Sequence, residues 1–534
     1  MQSFVKKNIW QIFIILLIAA VFIARFFIIP VRFFDADEFE HLHAAYSIHN
    51  SMVPYRDFFE HHTPFFHYIL SFFYPIFGET FSLIIAARFF MLIFVLPIFI
   101  LTFLLGKKMF NKDVGLMAAL LLSYVIVFLR ASLEIRPDTP AVMLLLLSIF
   151  FIREAFRKKN GRLCFLAGLF MGIAMLFTQK IIIPALGISA GFIYQIVLLK
   201  EDRRRYASMF LKYCAGYLIP LILAVIFFAF QRAAYDFIYY NFLINFCWKV
   251  KVSPSRLIKL MLFENPIFCF LGLWGVVLIF AELKKRSYII DADHFPFAVT
   301  LVVVAGIFVI PVTRLQYYML FLPLWAIYGA NAIWRLVNFT YSEFKGMDSM
   351  NRFVWILGLP ICATLLMLNL DRQGQIICAC GLAVIFLISF LLQSYFNLRR
   401  HIFICVISLV IFACAFNHVC SQFKWSNKDQ IADIRYIMET TSSSDTIQDG
   451  FQGLGVFRPH AYYYWFLHPE IQAMLDQKKL SDDLIAFMEK NKTKIVIYDD
   501  FLKALPEKFQ QYIGSHFKPA AGEKRLVDIR IRIY

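Results

Sequence analysis

Long apolar stretches separated by short polar segments dominate the first 420 residues of the chain. A helix needs about 20 predominantly apolar residues to cross the hydrocarbon layer of a membrane. Stretches of about this size lie near positions 8–30, 81–105, 113–131, 138–153, 162–179, 181–199, 208–230, 261–282, 295–312, 317–337, 353–370, 375–398 and 402–420. The pattern predicts an all-α polytopic membrane protein with about 13 transmembrane helices.

A further apolar stretch, residues 64–78, is too short to span and is interrupted by Pro75 and Gly78. It is predicted to form a re-entrant or interfacial helix. The segment between the first two spans is then a long outer loop, residues 31–80, that lies on the membrane surface.

The charges in the loops predict the orientation of the protein. Cytoplasmic loops of membrane proteins carry an excess of Lys and Arg. With a cytoplasmic N-terminus, every inner loop contains basic residues, these loops being 6–7, 107–112, 153–162, 200–205, 284–286, 335–352 and 399–400. We therefore expect a plasma (inner) membrane protein whose first span is a signal anchor and whose loop 31–80 is extracytoplasmic.

Composition supports the membrane assignment and excludes other classes. Hydrophobic residues make up 60% of the chain and charged residues 17%, against about 45–50% and 25% in soluble domains. The net charge of +17 is explained by the basic flanks of the helices, so no nucleic-acid partner is expected. The ten cysteines form no CxxC pair and give no zinc signature.

The character of the chain changes after residue 420. Residues 421–534 are polar, with helix-like segments at 428–439 and 480–490 and a strand-like run at 494–498. These elements predict a small α/β domain on the extracytoplasmic side, following a transmembrane domain over residues 1–420.

The outer loop concentrates residues that can do acid–base chemistry. Six acidic residues and five histidines lie between positions 35 and 62. Phe39, Leu42, Ala45 and Tyr46 follow helical spacing, and Asp35 is suited to cap the start of this helix. A capped surface helix explains one or two of the carboxylates, whereas the whole cluster favours a functional site.

Isolated cations occur at three other outer positions. Arg136, Lys180 and Arg314 are single positive charges on the side of the membrane that should be poor in them. Each alone is explained by a side chain that reaches toward lipid headgroups. Together they favour an anionic ligand.

Carboxylates and cations at an outer membrane surface suit a sugar linked to a lipid phosphate. Cations stabilise the charge that develops on a phosphate leaving group. One carboxylate acts as general base on the acceptor, and direct displacement at the anomeric carbon inverts its configuration. The expected partners are a polyprenyl-phosphate-linked sugar donor and a lipid, glycan or protein acceptor.

The sequence resembles the GT-C membrane glycosyltransferases, especially the protein O-mannosyltransferase and lipid A aminoarabinose transferase group. The residues that carry the resemblance are Asp37-Glu38, Phe59 to Pro64, Arg136-Pro137-Asp138, and Arg314, Tyr317, Tyr318 and Pro323. The resemblance implies that Asp37 is the base and that Glu38 or Glu60 orients groups. The expected substrate-binding residues are His61, His62, Arg136, Asp138, Lys180, Arg314 and Tyr317.

One position departs from the family pattern. The aminoarabinose transferases have a lysine that contacts the donor phosphate where this chain has His61. The phosphate role then passes to Lys180, Arg314 or a histidine. A divalent metal held by Asp35, His41, His43 and His61 is an alternative use of the histidines.

Two other functional classes fit parts of the pattern. A transporter or flippase of lipid-linked saccharides would use the same substrates, but it would carry ionisable residues near the middle of its spans. A surface-glycan polymerase or ligase would share the side and the substrates and differ in its catalytic loop.

Overall fold

The computed structural model describes residues 2–198, 202–244, 247, 253–285, 291–308, 310, 314–338, 396–520 and 525–533. The predicted span 353–370, and residues 375–395 of the predicted span 375–398, lie outside the described residues. The described helices as far as residue 422 are α1 Gln2–Ile28, α2 Ala36–His49, α3 Phe65–Ser71, α4 Tyr74–Phe77, α5 Phe81–Met109, α6 Lys112–Tyr124, α7 Ile126–Leu133, α8 Asp138–Lys158, α9 Gly161–Phe177, α10 Ile182–Leu198, α11 Arg203–Phe230, α12 Ala234–Ile238, α13 Pro254–Glu264, α14 Pro266–Lys285, α15 Phe295–Ile307, α16 Leu322–Val337 and α17 Phe396–Gln422.

Seven of the described helices are long and apolar enough to cross a membrane. They are Ile9–Ile28, Phe81–Met109, Asp138–Lys158, Gln179–Leu198, Arg203–Phe230, Pro266–Lys285 and Ile404–Gln422. Helices α6 and α7 bend by 73° at their junction and make an eighth if they form one broken span. The chain is therefore a multi-pass, mostly helical membrane protein, as predicted.

The predicted number of 13 spans stays a prediction. Helices α9, α15 and α16 have 17, 13 and 16 residues, fewer than the about 20 residues of a typical span. The segment 64–78 forms the two short helices α3 and α4 and no span, in agreement with the sequence pattern.

Small residues bring neighbouring membrane helices close together. A Cβ added to Gly168 on α9 would lie 2.0 Å from the carbonyl oxygen of Tyr213 on α11. A Cβ added to Gly216 on α11 would lie 2.1 Å from the carbonyl oxygen of Phe165 on α9. The two backbones are thus in direct contact, as expected where lipid offers no hydrophobic driving force for helix association.

Helix α2 begins as the sequence predicts but is not a surface helix. The Asp35 side chain caps it, and the Glu38 carboxylate accepts a hydrogen bond from the Asp35 backbone N–H. The two bonds together form a capping box. Ten of its residues, from Glu38 to Ser47, are buried on all sides of the helix. This part of the outer loop is therefore enclosed by protein.

A buried ion pair fixes the start of α2. Arg88 on α5 donates to both carboxylate oxygens of Glu38, at 2.8 and 2.6 Å. The same guanidinium donates to the backbone carbonyls of Ile29, Arg32 and Phe33. Neither charged side chain has more than 1% exposure. One arginine thereby ties the end of α1, the linker and the first turn of α2 to a membrane helix.

The C-terminal unit, residues 428–533, covers the other side of α2. Its helices are α18 Lys428–Thr440, α19 Pro469–Met474, α20 Gln477–Lys490, α21 Asp500–Lys503 and α22 Glu507–His516, and its strands are β1 Ile447–Asp449, β2 Ile495–Ile497, β3 Phe517–Pro519 and β4 Ile529–Arg532. The sheet order is β1-β2-β4-β3, with β1 and β2 parallel and the other pairs antiparallel. Helices α18 and α20 and strand β2 lie at the positions expected from the sequence.

Contacts of Gln430 and Gly453 are among those that join this unit to the outer loop. The amide side chain of Gln430 bonds both the N–H and the carbonyl of Phe34, at 2.7 and 2.9 Å. Gly453, with φ +72°, lies so close to α2 that an added Cβ would be 2.4 Å from the Cβ of Phe39. Only glycine suits both the backbone angle and this contact.

We predict that Glu38→Ala strongly destabilises the protein, by about 3–5 kcal/mol, because it leaves the buried Arg88 charge without a partner. Thermal unfolding of the purified protein in detergent measures this loss. Glu507→Ala, at an exposed glutamate of α22, is the matched control and should change stability by less than about 0.5 kcal/mol. Equal unfolding temperatures for Glu38→Ala and the wild type would contradict the assignment.

Candidate functional site

Asp37 lies in the first turn of α2 and is held by Arg136, which follows α7. Arg136 donates from Nη1 to Asp37 Oδ2 at 2.5 Å, from Nη2 to Asp35 Oδ1 at 2.8 Å and from Nε to Glu134 Oε2 at 2.6 Å. The guanidinium is almost enclosed, whereas the Asp37 side chain keeps 29% exposure. The carboxylate is thus fixed on one side and accessible on the other.

The environment keeps Asp37 ionised. Burial alone would raise the pKa of its carboxyl group, but the charge and hydrogen bond of Arg136 outweigh burial, and the pKa is held below its usual value. The nearby charges of His62 and His468 act in the same direction. At neutral pH Asp37 is therefore a hydrogen-bond acceptor that can take up a proton.

Lys180, Asp138 and Tyr317 form a second group beside Asp37. Lys180 Nζ donates to Asp138 Oδ1 at 2.7 Å and lies 4.0 Å above the Tyr317 ring. The charges of Lys180, Asp138, Arg314 and Asp37 all act on the Tyr317 hydroxyl. The structure therefore brings these sequence-predicted residues together, although they come from four separate segments.

A cluster of carboxylates and imidazoles lies within the outer loop, where residues 60–62 meet α2. Glu60 Oε1 accepts hydrogen bonds from the backbone N–H groups of His61 and His62, at 2.8 and 2.9 Å, and contacts His62 Nδ1 at 2.9 Å. One potential ligand atom from each of Glu40, Glu60, His61 and His62 lies within 4.8 Å of the others. Both carboxylates are buried.

The pKa values of the two buried carboxylates are shifted in opposite directions. Burial, followed by the negative charge of Glu60, raises the pKa of Glu40 well above its usual value. Burial also acts to raise the pKa of Glu60, but the charges of His67 and His62 and the hydrogen bonds from His62 hold it to about 2. Glu60 therefore ionises more readily than Glu40.

Of the four residues expected to bind a metal, His61 alone belongs to the cluster. Asp35 instead pairs with an arginine, as described above. His41 Nδ1 lies 3.0 Å from His67 Nε2, and His43 Nε2 lies 2.7 Å from His460 Nδ1 of the C-terminal unit. The structure thus distributes these four side chains over separate contacts, and it adds Glu40, which the sequence did not single out for this role.

The C-terminal unit also contributes two residues that the sequence analysis missed. His468 Nδ1 bonds Glu470 Oε2 at 2.8 Å, and Glu470 forms an ion pair with Arg314. The His468 ring lies 5.2 Å from the ring of His61. In the sequence, a histidine followed by proline and an acid is a typical helix start, so nothing marked these residues for a site some 400 positions away.

Comparisons with known proteins agree with this fold. Residues 61–229 match the family model for dolichyl-phosphate-mannose-protein mannosyltransferases. The crystal structure of ArnT from Cupriavidus metallidurans bound to undecaprenyl phosphate is similar, with a TM-score of 0.63 at 12% identity over 98% of both chains. Its apo form gives a TM-score of 0.64. A search of curated protein sequences found no match.

A second group of similar structures comes from Archaeoglobus fulgidus. The oligosaccharyltransferase AglB, in complex with an inhibitory peptide and a dolichol-phosphate, has a TM-score of 0.53 at 12% identity, over 90% of this chain and 69% of that chain. The resemblance expected from the sequence is thereby confirmed: the chain has the fold of the GT-C membrane glycosyltransferases.

We predict that His43 makes stability depend on pH. Burial lowers the pKa of His43 to about 4, although its hydrogen bond with the Val456 carbonyl acts in the opposite direction, against about 6.5 when unfolded. Below about pH 6.5 the folded state binds fewer protons than the unfolded state. The free energy of unfolding is therefore highest above pH 6.5 and falls as the pH decreases toward 4. One such group contributes at most about 1.4 kcal/mol per pH unit.

Thermal unfolding at pH 7 and pH 5 tests this prediction. His43→Asn should show a smaller drop in unfolding temperature between the two pH values than the wild type. His516→Asn, at an exposed histidine of the C-terminal unit, should keep the wild-type difference in unfolding temperature between the two pH values. An unchanged difference in His43→Asn would show that His43 is not responsible.

Proposed function

We propose that the protein is an inverting glycosyltransferase that moves a sugar from a polyprenyl-phosphate donor to an acceptor hydroxyl on the extracytoplasmic face of the plasma membrane. The observation that carries the proposal is the ionised, partly exposed carboxylate of Asp37 on this fold. Support comes from the matched family of mannosyltransferases and from the similar structures that hold undecaprenyl phosphate or dolichol-phosphate.

Asp37 is the general base in this reaction. Its carboxylate accepts the proton of the acceptor hydroxyl while the acceptor oxygen bonds to the anomeric carbon of the sugar. The bond between that carbon and the phosphate oxygen breaks, and the lipid phosphate leaves with the electron pair. Attack from the face opposite the leaving group inverts the anomeric configuration.

Lys180 and Arg314 stabilise the leaving phosphate. Arg136 was a candidate from the sequence, but it directs N–H groups to three carboxylates, so its role is to position and ionise Asp37. Lys180 makes one carboxylate contact with its three donors, and the Arg314 side chain keeps 47% exposure. Both cations therefore retain donors for phosphate oxygens.

The remaining predicted residues position these groups. Glu38 orients the first turn of α2, because its oxygens bond Arg88 and the backbone N–H groups of Asp35 and Ile135. Asp138 orients Lys180, and Tyr317 forms the aromatic floor beneath that ammonium.

The side of the membrane follows from charge. The basic loops favour a cytoplasmic N-terminus, which puts α2 and the C-terminal unit outside. Among the described residues, the acidic and cationic groups of the site gather at the outer ends of spans. A transporter or flippase would place such groups near the membrane centre, so transfer is favoured over transport.

We predict that Asp37→Asn lowers the rate of sugar transfer at least about a hundredfold, because the amide cannot accept the acceptor proton. The assay uses purified protein in lipid nanodiscs and a panel of undecaprenyl-phosphate-linked sugars. Release of undecaprenyl phosphate is quantified by mass spectrometry in the presence of lipid, peptide or glycan acceptors. Comparison of the acceptors also separates the alternatives, because a surface-glycan polymerase or ligase would transfer sugar to the glycan acceptor only.

Asp429→Asn, at an exposed aspartate of α18, is the matched control and should transfer sugar at the wild-type rate. Native mass spectrometry should show undecaprenyl phosphate bound equally to Asp37→Asn and the wild type, which excludes misfolding. Wild-type turnover in Asp37→Asn would refute the role of Asp37 as base. Absence of transfer by the wild type with every donor would refute the proposed reaction.

We further propose that Glu40, Glu60, His61 and His62 can hold a divalent cation. Their donor atoms are the carboxylate and imidazole groups that zinc and similar ions prefer. Glu60 Oε2 is buried and has no hydrogen-bond partner among the described residues. This atom is therefore suited to coordinate a cation. A bound cation would supply positive charge that stabilises anionic oxygen in the neighbouring site.

We expect protein purified with added zinc to retain about one equivalent of the metal after dialysis, and Glu60→Gln to retain much less. Inductively coupled plasma mass spectrometry measures the content directly, without an activity assay. His49→Asn, at an exposed histidine at the end of α2, should keep the wild-type content. Equal metal content in Glu60→Gln and the wild type would contradict this assignment.

A further inference from the structure

Glu134 follows the last residue of α7, and its two carboxylate oxygens bond two different arginines. Oε2 accepts from Arg136 Nε at 2.6 Å, and Oε1 accepts from Arg32 Nη2 at 2.8 Å. The Glu134 side chain is buried. Burial acts to raise the pKa of its carboxyl group, but the charges of Arg136 and Arg32 outweigh burial and hold the pKa below its usual value. Glu134 is therefore an ionised acceptor that joins the two arginines.

Arg32 connects this carboxylate to the ends of two membrane helices. It follows α1, and its Nε atom donates at 3.1 Å to the side-chain oxygen of Gln422, the last residue of α17. Gln422 is buried, and the Arg32 side chain keeps 12% exposure. A continuous row of hydrogen bonds thus leads from α17 through Arg32 and Glu134 to Arg136.

The bond at Nε determines where the rest of the Arg136 guanidinium points. The group is planar, so an acceptor at Nε sets the plane in which the Nη1 and Nη2 donors lie. These two donors bond Asp37 at 2.5 Å and Asp35 at 2.8 Å. Both aspartates are partly exposed, whereas Glu134 is buried. Of the three carboxylates around Arg136, Glu134 is therefore the one fixed inside the protein.

We propose that Glu134 is a positioning residue that keeps Arg136 in contact with Asp37. Arg32 anchors it in this role. The role rests on the proposed glycosyltransferase function, in which Asp37 is the base, and it acts through Arg136 without contact between Glu134 and the substrate. Without Glu134, the long side chain of Arg136 occupies other rotamers, and the Asp37 carboxylate loses part of the charge that keeps it ionised.

The direction of a pKa shift tests this role. Glu134→Ala should raise the lower apparent pKa in the pH profile of kcat/KM by about one unit and lower kcat at pH 7 about tenfold. A change of charge alone would lower that pKa, because it removes a negative charge from the surroundings of Asp37. Glu154→Ala, which removes a buried glutamate bonded to Arg153 on α8, should lower stability and keep the wild-type pKa.

A substitution one step further along the row tests the anchor. Arg32→Ala should raise the same apparent pKa by less than Glu134→Ala does, and it should add no further shift in the Glu134→Ala background. Additive shifts would overturn the role of Arg32 as the anchor of Glu134. If Glu134→Ala does not fold, Arg32→Ala alone carries the test, and an unchanged pKa in that variant overturns the proposal.

An infrared difference titration of the Asp37 carboxyl band, assigned by its absence in Asp37→Asn, gives the pKa of Asp37 without substrate. Native mass spectrometry of bound undecaprenyl phosphate gives the folded fraction by which kcat is normalised. An unchanged or lowered pKa in Glu134→Ala overturns the role of Glu134 and leaves the proposed function intact. Absence of transfer by the wild type overturns the proposed function, and the infrared titration then still decides whether Glu134 holds Arg136 at Asp37.

Discussion

The buried ion pair between Glu38 and Arg88 is the contact on which the site depends. Removing two charges from water is costly, and the cost is offset only when further hydrogen bonds satisfy both groups. Here Glu38 also accepts from two backbone N–H groups, and Arg88 also donates to three backbone carbonyls. The pair thereby sets the position of α2, and Asp37 is the adjacent residue.

This arrangement divides the charged residues into structural and chemical groups. Glu38 and Arg88 neutralise each other inside the protein and are inaccessible to a substrate. Arg136 neutralises the carboxylates around Asp37 and keeps that residue ionised. Lys180 and Arg314 are the cations with donors left for an anionic ligand. In the proposed reaction, Asp37 of the Asp-Glu pair after the first span does the chemistry and Glu38 sets its position.

Much of the fold was predictable because membrane spans and helix caps are local in the sequence. The apolar stretches gave the polytopic class, and Asp35 with Glu38 gave the start of α2. The burial of α2 was not predictable, because it depends on long-range contacts such as Gly453 on Phe39. The same applies to the ion pairs of Arg136 with Asp35 and Asp37, which lie far from it in the sequence.

The site was predictable to the extent that its residues follow one another along the chain. Asp37, His61 and His62 were singled out in the outer loop, and Lys180 and Arg314 were singled out as cations on the side predicted to be poor in basic residues. Glu40 joined the metal-binding candidates because the loop after residue 57 folds back onto α2. The placement of His468 beside His61 could not be found, since it follows from tertiary contacts with no local signature.

The anomeric configuration of the product tests the central claim most directly, because the proposed reaction uses Asp37 as a base and has a single displacement. Nuclear magnetic resonance of the product formed from a donor of known configuration gives the answer. We predict an inverted anomeric centre. A retained configuration would require a covalent intermediate or a second displacement, and it would contradict the assignment of Asp37 as the base that activates the acceptor.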